Sequence, residues 1–496
     1  MDTIIGHTIK SVNEGLRKGE FSIEEITADY QARIKKENHK LNAYLSVFQN
    51  SSVSVRSDLT VANDTSMLMG VPCAIKDNIL IEGEKCTAAS KILENYIAPY
   101  NATVITKLKQ SGAVFLGKTN LDEFAMGATG EKSAFGPTLN PHDHTRVAGG
   151  SSSGSGVAVA ADLAVYALGS DTGGSIRAPA SWCGVVGLKP TYGLVSRSGL
   201  IAMASSLDQI GPITKTVEDA AIVLNAIAGH DHVDSTSVSA SRELPDYTVG
   251  LDRPIKGLKV AMPKEFFNKG LDDQVNNLVQ ATIAKLEAMG AHIDQVDLPM
   301  IEYAIAAYYI IVPSEISANM SRYDGIKYGL SKSGKNLLDV YLESRADGFG
   351  DEVKRRIVLG TYALSSGYYD AYYLKAQKVR SLIKKDFDNI FAKYDVIVGP
   401  TMPTVAPKLG ELDDPLAGYL ADIYTCPVNL AGLPAISIPC GSVPISASGN
   451  RGSSIQRIGT DIDGKKLPVG FQIIAKHFDE AKLLQVAYNL EQVLGG

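Results

Sequence analysis

The chain has 496 residues, 45% of them hydrophobic and 21% charged, with a formal net charge of −6. That is ordinary globular composition with ample apolar material for a large core. Nothing in that balance favours direct binding of nucleic acid, which needs clustered Lys and Arg to neutralise phosphates.

Cys73, Cys86, Cys183, Cys426 and Cys440 are odd in number, widely spaced and never in a C-x-x-C pair, so neither a zinc site nor a disulfide framework is indicated. A reducing cytoplasm is the simplest setting. The opening M-D-T-I-I-G-H-T-I-K lacks the charged leader and apolar stretch of a signal peptide. No apolar run approaches the ~18 residues of a membrane span.

The first forty or so residues read as helices, one of them capped by the Ser22/Glu25 pair and running toward Lys36. From Gly70 the pattern changes to short apolar segments punctuated by glycine. Val71 to Ile75 reads as a buried strand, Thr103 to Ser111 as a helix and Ala113 to Leu116 as the next strand, an α/β alternation. After the Gly/Ser tract at Gly149, a helix is predicted over Val157 to Leu163 and a strand over Ala164 to Leu168. A Gly-rich turn follows at Thr172 to Ser175. Thr216 to Asp219 caps a helix that stops before Gly229, and Asp231 to Glu243 is a loop. Leu258 to Ala261 is a strand. Asp272 to Met289 is an amphipathic helix with Val275, Leu278, Val279, Ile283 and Leu286 on one stripe. Val353 to Phe391 is largely helical. Ala435 to Pro439 and Pro468 to Ile474 are strands, with a hairpin turn expected at Asp463-Gly464, and Phe478 to Val493 is a closing helix.

Three features could carry chemistry. G-G-S-S-S-G-S-G from Gly149 could be a flexible linker, but it is short and runs straight into apolar sequence. G-S-D-T-G-G-S-I-R from Gly169 places Ser175 after two glycines, where backbone N–H groups can converge as an oxyanion hole; a plain capped turn explains it equally well. Lys76 ends an apolar segment and is either a solvated charge or, if buried, a neutral amine able to act as a base. A serine nucleophile needs such a base. None of the eight histidines has a triad context, and Ser153-Gly154-Ser155-Gly156 does not fit a nucleophile elbow, so lysine is the better candidate.

Lys76, Ser151 and Ser175, in A-I-K-D, G-G-S-S-S-G-S-G and D-T-G-G-S-I-R, together resemble the amidase signature family. The resemblance implies an α/β/α sandwich in which a large mixed β-sheet is covered by helices on both faces. It implies a Ser–cisSer–Lys triad with Ser175 as nucleophile, Ser151 after a cis peptide as bridge and Lys76 as base. Thr172, Gly173 and Gly174 would supply the oxyanion-hole N–H groups. It implies one domain over 1–496, with a helical region at 1–69, a catalytic core at 70–230 and the rest of the sheet and pocket helices at 254–496.

Within the family the chain is similar to the glutaminase subunits of bacterial tRNA-dependent amidotransferases. N-L-D-E-F-A-M-G at Asn120, S-S-L-D-Q-I-G-P at Ser205, R-Y-D-G-I-K-Y-G at Arg322, the long run from Lys354 and D-I-Y-T-C-P-V-N-L-A-G-L-P-A at Asp422 carry that likeness. It implies hydrolysis of glutamine, with Arg355 on the α-carboxylate, Asp422 on the α-amino group, and Tyr309 and Gly127 lining the pocket. It also implies partner subunits B and C, with misacylated tRNA, ATP and Mg handled by the partner. No metal or cofactor is implied for this chain, and no P-loop is present. Ser153 replaces a usual Gly, Ala148 a usual Pro, A-T-G-E-K at Ala128 to Lys132 differs from the common loop, and Ser446 to Gly459 is longer than usual. Two rivals share these residues: a stand-alone amidase acting on aryl or aliphatic amides, and a catalytically silent scaffold protein.

Overall fold

The computed structural model describes residues 6–48, 66–268, 270–444 and 466–495. The Ser446–Gly459 segment and the Asp463-Gly464 turn lie outside the described residues.

Eleven strands form one mixed sheet: β1 (Tyr44–Val47), β2 (Pro72–Lys76), β3 (Val114–Thr119), β4 (Tyr166–Asp171), β5 (Val186–Lys189), β6 (Gln209–Thr214), β7 (Lys259–Pro263), β8 (His292–Val296), β9 (Val396–Pro400), β10 (Ala435–Pro444) and β11 (Lys466–Ala475). Their order is β1-β3-β2-β4-β6-β5-β10-β11-β9-β7-β8. β2 runs parallel to both β3 and β4, with Ile75 opposite Leu168. The carboxyl ends of β2 and β4, at Lys76 and Asp171, therefore emerge on the same edge, where crevices form in α/β sheets.

Side chains alternate between two cores. Val396, Val398, Phe471 and Ile473 join one apolar cluster with Ile26, Ile105, Val223, Val279, Ala487 and Leu490. Ile397 and Ile474 join the other, with Ile311, Val353, Ile383 and Val428. Helices thus cover both faces, as the resemblance implies.

The predicted elements are found with shifted ends. The Ser22/Glu25 capping box is present, but its helix continues to Leu41. The helix at 272–289 is Asp273–Ala288, with Val275, Val279, Ile283 and Leu286 buried. The helix expected from Val157 instead starts at Ser153 and ends at Ala160. Its glycines permit close approach: a Cβ on Gly154 would lie 2.3 Å from the Ala43 carbonyl. The Gly/Ser tract is therefore buried throughout and helical from Ser153, not a linker.

The Ala304–Met320 helix had no periodic stripe to reveal it, being apolar on nearly every side. It crosses the Asp351–Leu364 helix at Gly360, where a Cβ would come within 1.8 Å of the Pro313 carbonyl. That crossing places Tyr309 opposite the arginines of the second helix.

Candidate active site

Lys76 is fully buried at the end of β2. Its Nζ lies 2.8 Å from Ser151 Oγ, 2.8 Å from Ser152 Oγ and 2.9 Å from Ser170 Oγ. Ser152 donates its own proton to the Ser170 carbonyl at 3.1 Å, and Ser170 Oγ accepts from Asn78 Nδ2 at 3.0 Å. A neutral amine carries two protons and one lone pair. With the protons on Ser152 and Ser170, the lone pair is left for the Ser151 hydroxyl. Burial favours this neutral form: it pulls the Lys76 pKa down to about 7, against the opposing charges of Asp122, Asp171 and Asp208.

The Gly150–Ser151 peptide is cis. Ser151 is held through its carbonyl, which accepts from Asp122 N–H at 3.2 Å, while Ser152 N–H donates to the Ser175 carbonyl at 3.1 Å. That second bond ties the segment carrying Ser175 beside Ser151. Gly150 has no room for a side chain, since a Cβ would lie 2.0 Å from Asp122 Oδ2.

Ser175 follows β4 by a turn built around Asp171. The Asp171 carboxylate accepts from Gly174 N–H (2.8 Å), Ile176 N–H (3.1 Å), Arg177 Nε (3.1 Å) and Asn429 Nδ2 (2.9 Å). Burial would raise its pKa, but Arg177 reverses the effect and leaves it at about 2. This anchor narrows the oxyanion donors expected from the sequence. Gly174 N–H is directed at Asp171, whereas Thr172 and Gly173 N–H have no acceptor among the described residues. The Thr172 hydroxyl donates to Asp208 at 2.6 Å. Gly173 sits under Tyr308, whose hydroxyl would be 2.3 Å from an added Cβ.

A cleft of about 480 Å³ opens beside this edge, lined among others by Gly127, Thr129, Tyr309, Glu352, Arg355 and Tyr419. Its 127–129 wall is strapped to the serine tract, because Gly150 N–H donates to the Ala128 carbonyl and Gly149 N–H to that of Thr129. Gly127 also lets Asp122 pack, a Cβ there meeting Asp122 Cγ at 2.4 Å. Arg355 is part-exposed in the cleft and paired with Glu352. Asp422 lies behind Tyr309, whose hydroxyl donates to it at 3.3 Å. Burial pushes the Asp422 carboxyl up to about 7, with Arg356 the main opposing influence.

The structure thus gathers Lys76, Ser151 and the 172–175 turn at one sheet edge, and Gly127, Tyr309 and Arg355 around the adjoining cleft. Sequence reasoning passed over Ser152, Ser170, Asp171 and Arg177, although Asp171 and Arg177 sit inside the G-S-D-T-G-G-S-I-R motif. It also passed over Arg356, in the same R-R pair as Arg355, and Glu352. Of the departures, Ser153 is buried and its hydroxyl donates to Thr138 Oγ1 at 3.1 Å, and the altered loop keeps Gly130 and Lys132 N–H on Asp122.

The sequence pattern of the Amidase family matches residues 25–484, and the chain belongs to that family. Among its relatives, the A subunit of the glutamyl-tRNA(Gln) amidotransferase of Caldanaerobacter subterraneus subsp. tengcongensis is 56% identical over 98% of this chain and 96% of its own length. The crystal structure of the corresponding glutamyl-tRNA(Gln) amidotransferase A subunit from Thermotoga maritima is 43% identical, covers 98% of this chain and 94% of its own, and superposes with a TM-score of 0.79. A 6-aminohexanoate cyclic dimer hydrolase has the same fold at 25% identity, with a TM-score of 0.80 over 99% of this chain and 97% of its own.

Proposed function

We propose that this chain is the glutamine-hydrolysing subunit of a tRNA-dependent amidotransferase, releasing ammonia for amidation of Glu-tRNA(Gln), Asp-tRNA(Asn) or both. The observation that carries the reading is the buried Lys76 amine, 2.8 Å from Ser151 Oγ and with its pKa brought to about 7. Lys76 takes a proton through Ser151 from Ser175, and Ser175 attacks the glutamine side-chain amide. Thr172 and Gly173 N–H groups receive the developing oxyanion, a contribution typically worth ~2.7–4 kcal/mol per donor. The relay returns the proton to the leaving nitrogen, and water then hydrolyses the glutamyl ester on Ser175.

The cleft suits an amino acid's two charges, since either would be costly to bury unpaired. Arg355 pairs with the α-carboxylate and Asp422 with the α-amino group, Tyr309 and Gly127 forming the walls. In this reading the protein works in the cytoplasm with subunits B and C, and the partner holds the misacylated tRNA and uses ATP and Mg. The stand-alone amidase remains the second reading, because the 6-aminohexanoate cyclic dimer hydrolase shares the fold.

The test is co-expression with candidate partner subunits, followed by measurement of ammonia from glutamine with and without charged tRNA and ATP. Glutamine-dependent ammonia release supports the proposal. Hydrolysis of hydrophobic amides that is indifferent to Arg355 and Asp422 would replace it with the stand-alone amidase.

A further inference from the structure

Glu352 lies in the first turn of the Asp351–Leu364 helix and on the cleft wall. Its side chain is only 11% exposed, yet both carboxylate oxygens are engaged. Oε2 accepts from Arg355 Nη1. Oε1 accepts from Arg356 Nε at 2.7 Å and from the Tyr419 hydroxyl at 3.2 Å. Arg356 is buried, with its guanidinium carbon 5.4 Å from the Tyr309 ring centre and 5.6 Å from that of Tyr419. Those two rings stack at 3.7 Å, and the Tyr309 hydroxyl reaches Asp422. A continuous chain of contacts therefore runs from Arg355 through Glu352 to Arg356 and Tyr419, then through Tyr309 to Asp422.

We propose that Glu352 is a positioning residue for substrate recognition, aiming Arg355 across the cleft and, through Arg356 and Tyr419, fixing the Tyr309 hydroxyl against Asp422. The inference rests on the amino-acid-amide reading above and deepens it. A helix-surface ion pair spans two solvated groups and constrains little. Here one shielded carboxylate receives three donors from two elements, so it sets geometry at both ends of the contact chain. Its charge also sets the balance. Within this cluster two guanidinia share one carboxylate, so Arg355, Glu352 and Arg356 together carry one positive charge in excess, available to a single carboxylate on the ligand. Asp422 supplies the opposite sign beyond the aromatic pair. The hydrogen-bond partners of Glu352 are Arg355, Arg356 and Tyr419, none of them at the serine–lysine edge, so its loss acts on binding and leaves the chemistry in place.

The experiment compares the full chain, in the complex that hydrolyses glutamine, with Glu352→Gln and with the milder Tyr419→Phe, which keeps the ring stack and removes one bond to Glu352. Two quantities are read: glutamine kinetics, and the rate at which a neutral sulfonyl fluoride labels Ser175. For Glu352→Gln the glutamine KM rises at least about tenfold while kcat stays within about threefold, the signature of lost binding. Tyr419→Phe moves KM in the same direction by about two- to fivefold. The Ser175 labelling rate is unchanged in both. An unchanged glutamine KM, or a fall in labelling that tracks the fall in glutamine turnover, overturns the role assigned to Glu352. Wild-type protein that is labelled at Ser175 but releases no ammonia from glutamine rejects the amino-acid-amide reading itself, and this inference with it.

Discussion

The serine–lysine edge and the adjoining cleft are both polar sites, yet they are held in opposite ways. At the edge, Lys76, Ser151, Ser152 and Ser170 are almost wholly buried and satisfy one another through short polar contacts. Strand ends and glycines with no room for a Cβ fix their places. In the cleft, long side chains from the helices Ala304–Met320, Asp351–Leu364 and Pro415–Leu420 meet, and Arg355 keeps 43% of its side chain exposed. The first arrangement excludes water so that an amine can stay neutral. In the proposed reading the second admits a charged ligand, and until it arrives Arg355 and Arg356 share the one Glu352 carboxylate. Chemistry and recognition are thus separable, and perturbations should divide between kcat and KM.

That division is tested most severely at the edge. Lys76→Ala should lower kcat for glutamine by at least about 10³-fold, since it removes the group proposed to accept the serine proton, while KM changes little. Stopped assays of ammonia release would check it; turnover within tenfold of wild type would take lysine out of the mechanism. In the cleft the expectation reverses. Arg355→Ala should raise the glutamine KM by about 10- to 100-fold with a much smaller change in kcat, the loss of a charge-assisted contact common to ground and transition states.

What could be read from sequence follows the same division. The candidate residues of the edge could be singled out because they occur in short contiguous motifs: A-I-K-D, the Gly/Ser tract and D-T-G-G-S-I-R each bring a candidate atom with the surrounding backbone. A linker reading of the tract, already weakened by its shortness and the apolar sequence after it, is removed by its glycines, which press against Ala43 and Pro179. The cleft was not legible from the residues themselves. Arg355 in D-E-V-K-R-R looks like a solvated helix charge, and only likeness to a family singled it out. Arg356 and Glu352 were invisible because their meaning depends on the Ala304–Met320 helix, whose uniformly apolar surface gave no period to detect, and on Tyr419, far away in sequence.

Titration separates the two regions further. Burial brings Lys76 down to about 7 and Asp422 up to about 7. Lys76 must be neutral to accept a proton, and Asp422 must be ionised to hold an ammonium, so both functions are lost as pH falls through 7. In the proposed mechanism Lys76 acts in the bound complex and governs kcat, whereas Asp422 acts in binding and enters through kcat/KM. Below pH 7, kcat should therefore fall about tenfold per pH unit, and kcat/KM more steeply, toward about a hundredfold per unit. Asp422→Asn should remove the extra steepness and leave the kcat profile alone. Equal slopes for both parameters in the wild type would show that Asp422 does not titrate as a recognition group.

A gentler substitution asks whether the edge depends on each polar atom or on its backbone frame. Ser153 is buried, and its hydroxyl donates to buried Thr138 rather than to any group contacting Lys76. Ser153→Gly removes one buried hydrogen bond and adds glycine's conformational cost in a helix, together about 1–2 kcal/mol of destabilisation. In a chain of this size that corresponds to a lowering of the melting temperature by only a few degrees. Neither kcat nor KM should change by more than about twofold, because the bonds of Lys76 to Ser151, Ser152 and Ser170 are untouched. Calorimetry and steady-state assays on the same preparation would check both halves. A tenfold loss of kcat with a normal melt would mean that Ser153 reaches the relay, and that the edge is held by its hydroxyls as much as by its strands.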